Sequence, residues 1–309
     1  LPMATIDTQD LRERIGRFRV LIIGRANAGK TTILQKVCNT TEDPEIYDTE
    51  GKKIDAAVVK SSIKRGNHDI TNEMVFKSNP VFVFHDSCGF EAGSEEEFDN
   101  MKKFISDRAK AKELEERIHA IWQVTPFWYC IPMDNPSRTF QRSEEKFFSE
   151  CDTGHGEFAA LLSCALLGLN DQSSVPVVAI FTKFEALRPF AYGEIKKQLK
   201  GLSREECSKR IAQRVEELFT NTGVWDRLCD PENRARPKSH VRLESKWFRL
   251  TCSVSKLILV TILEMDQPNT NCSTLLECTT LALDNEELRL CLVSTQQSNL
   301  ELCIKCAVG

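Results

Sequence analysis

The chain has 309 residues, 41% hydrophobic and 28% charged, enough for one large or two modest domains with a real core. Its formal charge of −4 excludes a general attraction to nucleic acid or to an anionic membrane. The best basic patch, Arg234-Ala235-Arg236-Pro237-Lys238, reads as a solvated loop.

Residues 1–17 read as an N-terminal extension. They lack the basic-then-apolar layout of a signal peptide, Met3 is the expected start, and a cytoplasmic location is expected. The longest apolar stretches, Phe158 to Leu169 and Leu257 to Leu263, fall short of the ~18 residues of a membrane span. Arg19-Val20-Leu21-Ile22-Ile23 is an apolar run of strand type, and Gly24-Arg25-Ala26-Asn27-Ala28-Gly29-Lys30-Thr31 follows it at once. The octapeptide reads GxxxxGK[ST], a P-loop. Such a loop turns its backbone N–H groups inward while the next helix points its positive dipole end at the same spot, which suits a polyphosphate. Gly24 through Thr32 would cradle the phosphates. Lys30 would reach the β- and γ-phosphates, and the Thr31 hydroxyl would serve Mg²⁺.

From Asn39 to Lys53 the chain is polar and aperiodic, and a long loop is expected. Ile54 to Ile63 and Asp69 to Lys77 alternate like strands around the turn-type cluster Lys64-Arg65-Gly66-Asn67-His68. A nucleotide switch loop belongs here, with Thr49, Ser61, Ser62 and Thr71 all open as its γ-phosphate contact. Pro80-Val81-Phe82-Val83-Phe84-His85 has the continuous apolar character of a strand buried on both faces. It ends at Asp86-Ser87-Cys88-Gly89, a DxxG in which Asp86 would hold Mg²⁺ through water and the Gly89 N–H would sense the γ-phosphate.

Glu95 to Ala120 predicts a long surface helix, Ile121 to Met133 a strand interrupted at Pro126, and Phe140 to Cys151 a helix. Val175 to Phe181 is a further buried strand, followed by Thr182-Lys183-Phe184-Glu185. In that position a guanine-reading [NT]KxD motif would use the acid to accept from the base, the lysine stem to pack over it and the threonine to brace the P-loop. Glu185 is one methylene longer than aspartate; the acceptor is kept and the geometry changed, an effect worth ~1–3 kcal/mol. Ala191 to Gly223 predicts a helix. The last strand comes from Ser239 to Leu243 or Leu257 to Val260, with helices over Cys272 to Leu283 and Glu286 to Leu302. Thirteen scattered cysteines read as small buried hydrophobes. Cys303-Ile304-Lys305-Cys306 has no second pair to complete a zinc site, and Cys306-Ala307-Val308-Gly309 ends in a residue that prenylation disfavours. Alternating strands and helices predict one doubly wound α/β domain over 18–309, with a mostly parallel sheet, helices on both faces and the ligand at the strand carboxyl ends.

With these motifs placed, the chain resembles the translation-factor-related class of P-loop GTPases, near the Era-like, tRNA-modification and septin-like branches. More closely it is similar to a family of fungal G-domain proteins with strings like RGNHDITNEMVFKSNP, HDSCGFEAG, LEERIHAIW, WYCIPMD and FFSECDTGH. The resemblance implies GTP and GDP as ligands with Mg²⁺. It also implies that Asn27 helps bind K⁺ near the phosphates, joining Lys30 as a catalytic candidate. Phe90 stands where Ras-like proteins carry a catalytic glutamine, so slow hydrolysis is implied unless K⁺, a homodimer partner or an activating protein supplies charge.

Cys88 replaces a basic residue usual in the DxxG segment, and residues 156–174 and 245–264 look inserted relative to the fungal pattern. Gly156-Glu157-Phe158 and Ser245-Lys246-Trp247 can be encoded with intron donor sequences, and retained introns are the hypothesis for both; transcript reads crossing them without a gap would refute it. The leading expectation is a GTP switch with slow Mg²⁺-dependent hydrolysis. A non-hydrolysing GTP-binding module and, behind it, an ATP-using kinase remain the alternatives.

Overall fold

The computed structural model describes residues 17–55, 69–87, 95–110, 127–135, 138–151, 176–243, 272–283 and 286–295. Its centre is β1 (Phe18–Gly24), buried at every position. The remaining strands are β2 (Glu45–Tyr47), β3 (Lys53–Ile54), β4 (Glu73–Phe76), β5 (Asn79–Asp86), β6 (Phe127–Pro132), β7 (Val177–Thr182) and β8 (Pro237–Arg242). They form one sheet in the order β3-β2-β4-β5-β1-β6-β7-β8. β5, β1, β6, β7 and β8 run parallel, while β4, β2 and β3 extend the sheet by antiparallel pairing. This is a mostly parallel, doubly wound α/β sheet, and β1 delivers the glycine-containing loop that follows it to the carboxyl ends of the parallel strands.

The period-two alternation of a strand sends its side chains to two cores. Val20 and Ile22 of β1, Trp128 and Cys130 of β6, and Val178 and Ile180 of β7 join one core. It is covered by α1 (Lys30–Val37), α7 (Ser273–Ala282) and α8 (Glu286–Thr295), through Ile33, Leu34, Leu275, Leu276, Leu288 and Leu292. Leu21, Ile23, Phe127, Tyr129, Ile131, Ala179 and Phe181 face the other core. That side is covered by α2 (Glu95–Lys110), α3 (Arg142–Glu150), α4 (Leu187–Ile195), α5 (Arg204–Asn221) and α6 (Val224–Leu228). Full burial of a large apolar side chain contributes about 1.5–3 kcal/mol, so the parallel strands set the stability of the sheet. Trp128 also needs a partner for its indole N–H, and donates to the Thr279 hydroxyl at 3.1 Å. That bond ties α7 to the sheet centre.

Several expectations change. The polar stretch from Asn39 to Lys53 contains β2 and the start of β3, paired antiparallel, because Ile46 finds cover in the core. The helix expected over Ala191 to Gly223 is two helices. Gly201, at φ 82, takes a left-handed turn between them, and Ser203 caps α5 by accepting from the Glu206 N–H while Glu206 returns a bond to the Ser203 N–H. The helix expected over Glu95 to Ala120 is described over Glu95–Lys110, where Phe98, Met101, Phe104 and Ile105 form its buried stripe; 111–120 lie outside the described residues. Of the strand expected over Ile121 to Met133, Phe127–Pro132 is observed, and 121–126 lie outside the described residues. Of the two last-strand options, Ser239 to Leu243 lies in β8 and its continuation, while Leu257 to Val260 lies outside the described residues. Residues 156–174, 245–264 and the terminal cysteines Cys303 and Cys306 also lie outside them.

Candidate functional site

The carboxyl ends of β1, β5, β6 and β7 bring three predicted segments to one edge of the sheet. The first is the P-loop. Gly24 leaves β1 at φ 149, and a Cβ there would stand 2.6 Å from the Cys130 carbonyl oxygen of β6. Only glycine lets the loop pass that strand. Asn27 at φ 60 and Gly29 at φ 82 are both left-handed, which curls the loop back toward α1. Gly29 is the N-cap of α1 and supplies no side-chain cap. The first-turn N–H groups are thereby left for an external acceptor, and an anion satisfies them with the helix dipole in its favour.

Lys30 is buried and folds into the loop, donating to the Gly24 carbonyl at 2.8 Å and the Arg25 carbonyl at 3.2 Å. The Asp86 carboxylate, at the end of β5, lies 3.6 Å from its ammonium. Lys30 and Asp86 are thus placed together from distant parts of the sequence, as strand order requires: β5 is the parallel neighbour of β1. Ala26, Asn27 and Thr31 are exposed, Ala28 is buried, and Thr32 is half-buried on α1. Burial pushes the Cys130 thiol up to about 12, with Lys30 lowering it and Asp86 raising it by smaller amounts; it is an inert wall of the loop. Ser87, next to Asp86, is buried and its N–H donates to the Ile22 carbonyl at 3.1 Å. Cys88, Gly89 and Phe90 lie outside the described residues.

Of the switch candidates, Thr71 is bound to Asp69, donating from both its N–H (2.9 Å) and its hydroxyl (2.7 Å). Thr49 is exposed on a turn in which Asp48 accepts from the N–H groups of Glu50 and Lys52. Ser61 and Ser62 lie outside the described residues.

The third segment follows β7. Thr182 is buried and its hydroxyl makes no hydrogen bond among the described residues, to the P-loop or elsewhere. Lys183 is left-handed at φ 53, and its ammonium donates to Asp134 Oδ2 at 2.6 Å. Glu185 sits on a single 3-10 turn, Phe184–Ala186, with its Oε2 buried and Phe184 in the core below. Behind this turn, Arg242 donates to both carboxylate oxygens of Glu216, at 2.8 and 2.7 Å, and lies over the rings of Phe184 (5.0 Å) and Phe219 (4.3 Å). The stack fixes the floor of the turn.

Two contributors escaped the sequence reading. Asp134 sits at the end of β6, and nothing in its local pattern announces Lys183 as its partner. Glu144 is different. It occupies the buried face of α3 with Phe147 and Phe148, a carboxylate in an apolar stripe, and that anomaly signals an internal cation. The cation is Arg25 of the P-loop: its Nε is 3.0 Å from Glu144 Oε1, and its Nη2 donates to the Thr139 carbonyl at 3.5 Å.

Among the described residues, no group of three or more His, Cys, Asp or Glu could hold a metal alone, and no helix is long and apolar enough to cross a membrane. Lys30, Asp86 and the uncapped helix end suit instead a phosphate group with a cation shared between protein and phosphate oxygens. No curated protein matches the chain. Residues 19–142 match the family model of the 50S ribosome-binding GTPase, a stretch running from β1 to the first residue of α3 and including both phosphate-side motifs but not Thr182 to Glu185. Over that stretch the chain is similar to a GTPase domain, and the mostly parallel α/β sheet is consistent with a P-loop GTPase fold.

Proposed function

We propose that the chain is a cytoplasmic molecular switch that binds GTP and GDP with Mg²⁺ and hydrolyses GTP slowly, within the translation-factor-related class and its fungal G-domain branch. The observation that carries this reading is the phosphate loop: two left-handed residues, an uncapped helix start, and Lys30 beside Asp86. The backbone N–H groups of the loop bind the phosphates, Lys30 supplies a point charge, and Gly89 reports the γ-phosphate. Thr31 and Asp86 are the residues that would hold Mg²⁺, which neutralises phosphate charge when bound. Thr182, Lys183 and Glu185 contact the base side.

Hydrolysis on this reading is slow because Phe90 brings no group to orient water. K⁺ held with the help of Asn27, or a homodimer partner or activating protein, supplies the missing charge. Binding of fluorescent GDP to the purified chain with Mg²⁺, competed by GDP and ADP, tests the nucleotide. Selective displacement by GDP is expected, and Lys30→Ala should weaken binding by about 2–5 kcal/mol. Equal displacement by ADP would overturn guanine specificity. Single-turnover GTP hydrolysis in K⁺ and in Na⁺ then separates a GTPase from a binding module: no turnover in either salt defeats the enzyme reading, and equal turnover removes K⁺.

A further inference from the structure

We propose that Glu144 is a positioning residue of the nucleotide site, acting through Arg25; the inference rests on the guanine-nucleotide reading above. Arg25 is a residue of the P-loop, where a guanidinium could be expected to turn outward and compete for the phosphate. Its side chain is instead nearly buried, beside a Glu144 that is wholly buried. The Nε–H is not aimed at the carboxylate, so charge rather than an aligned bond holds the pair, and the Nη2 bond to Thr139 fixes the other edge of the guanidinium. Glu144 is itself held, because its Oε2 accepts from the Gln141 N–H at 2.8 Å as half of a capping box.

The anchored side chain fixes the Arg25 peptide, and that peptide organises the loop. The Arg25 carbonyl accepts from the Ala28 N–H at 3.2 Å and from Lys30 Nζ at 3.2 Å. One carbonyl therefore sets both the turn from Arg25 to Ala28 and the lysine that meets phosphate. Tyr129, whose phenol is pushed well above its ordinary range first by burial and then by the Glu144 charge, closes the far side of this pocket against Phe147 and Phe148. Water has little access to replace the carboxylate, so a buried Arg25 depends on it.

Glutamine at 144 keeps one acceptor for the cap, removes the charge and sets an amide NH₂ in place of the oxygen that faces Arg25. In the Glu144→Gln variant, GDP affinity should fall about tenfold, while the same change in an Arg25→Gln background should cost less than about twofold. A capping role alone would give equal losses in both backgrounds, so that result overturns the proposal, as does unchanged affinity in Glu144→Gln. Melting temperature without nucleotide is measured on all four chains; a Glu144→Gln chain that melts below the assay temperature is replaced by Glu144→Asp, which keeps the charge and should retain GDP affinity within about threefold. Loss of affinity in that folded, charge-retaining variant equal to that of Arg25→Gln would also overturn the proposal. A wild-type chain that binds no GDP overturns both readings, whereas binding without coupling overturns this one alone.

Discussion

On the proposed reading, the site has a phosphate end and a base end, and the two are made of different material. At the phosphate end, backbone does the work: a glycine threads past β6, two left-handed residues curl the loop, and the charged groups that steady it, Lys30, Arg25 and Glu144, are buried or nearly so. At the base end, the ion pair is in the open: Lys183 and Asp134 are 32% and 47% exposed. Buried, cross-braced groups hold their geometry before a ligand arrives; exposed pairs gain little in water and can reorganise. The phosphate end is accordingly the place where single atoms should matter most.

The sharpest break in that comparison is at Gly24. Alanine there brings its Cβ to 2.6 Å from a backbone oxygen that cannot swing away, and φ 149 is itself unfavourable for a side chain. Gly24→Ala should cost about 3 kcal/mol of stability, read as a lowered urea midpoint, and should abolish GDP binding. Gly29→Ala is the control, since a Cβ there meets nothing within 4 Å and only φ 82 is strained, a cost of about 1–2 kcal/mol. Equal midpoints for the two variants would show that the close approach to β6 has no weight.

The same contrast explains what could be read from sequence. The P-loop, Asp86 and the doubly wound sheet were legible because backbone requirements leave strong local marks: glycines at fixed offsets, a lysine after them, and continuous apolar runs for Leu21 or Phe84, which are buried on both faces. The approach of Lys30 to Asp86 was not read from sequence; it comes from β5 being the parallel neighbour of β1. Side-chain partnerships between distant segments leave no such mark. Asp134 reads as one more exposed acid in a loop, and Glu144 was visible only as a misplaced carboxylate. β2 was missed because Ile46 is a lone apolar residue among polar ones, and the sheet edge, not local propensity, makes that stretch a strand; β3 overlaps only the first residue of the strand expected from Ile54 to Ile63, of which 56–63 lie outside the described residues.

At the base end, the sharpening change is Glu185→Asp. Its carboxylate rides on a turn whose floor is fixed by Phe184 and the Arg242 stack, so shortening the side chain alters reach without moving the backbone. Restoring aspartate should tighten GDP by about 1–3 kcal/mol while leaving ADP unchanged, measured by competition against fluorescent GDP. No change in selectivity would mean that Glu185 does not read the base.

The smallest effect is expected from Asp134→Ala. The Lys183 backbone is already fixed: its left-handed conformation is held by β7 before it and by the Ala186 N–H, which donates to the Lys183 carbonyl at 3.0 Å. Asp134 therefore aims only the ammonium, through a contact that water and salt can replace. Removing it should change unfolding free energy by less than about 1 kcal/mol, with the difference shrinking further as salt is raised. GDP affinity should fall by less than about fivefold, since the stem that would pack over a base on the proposed reading is placed by the main chain. A loss well beyond tenfold would reverse the comparison, because the exposed pair would then be organising the base end as firmly as the buried pair organises the phosphate end.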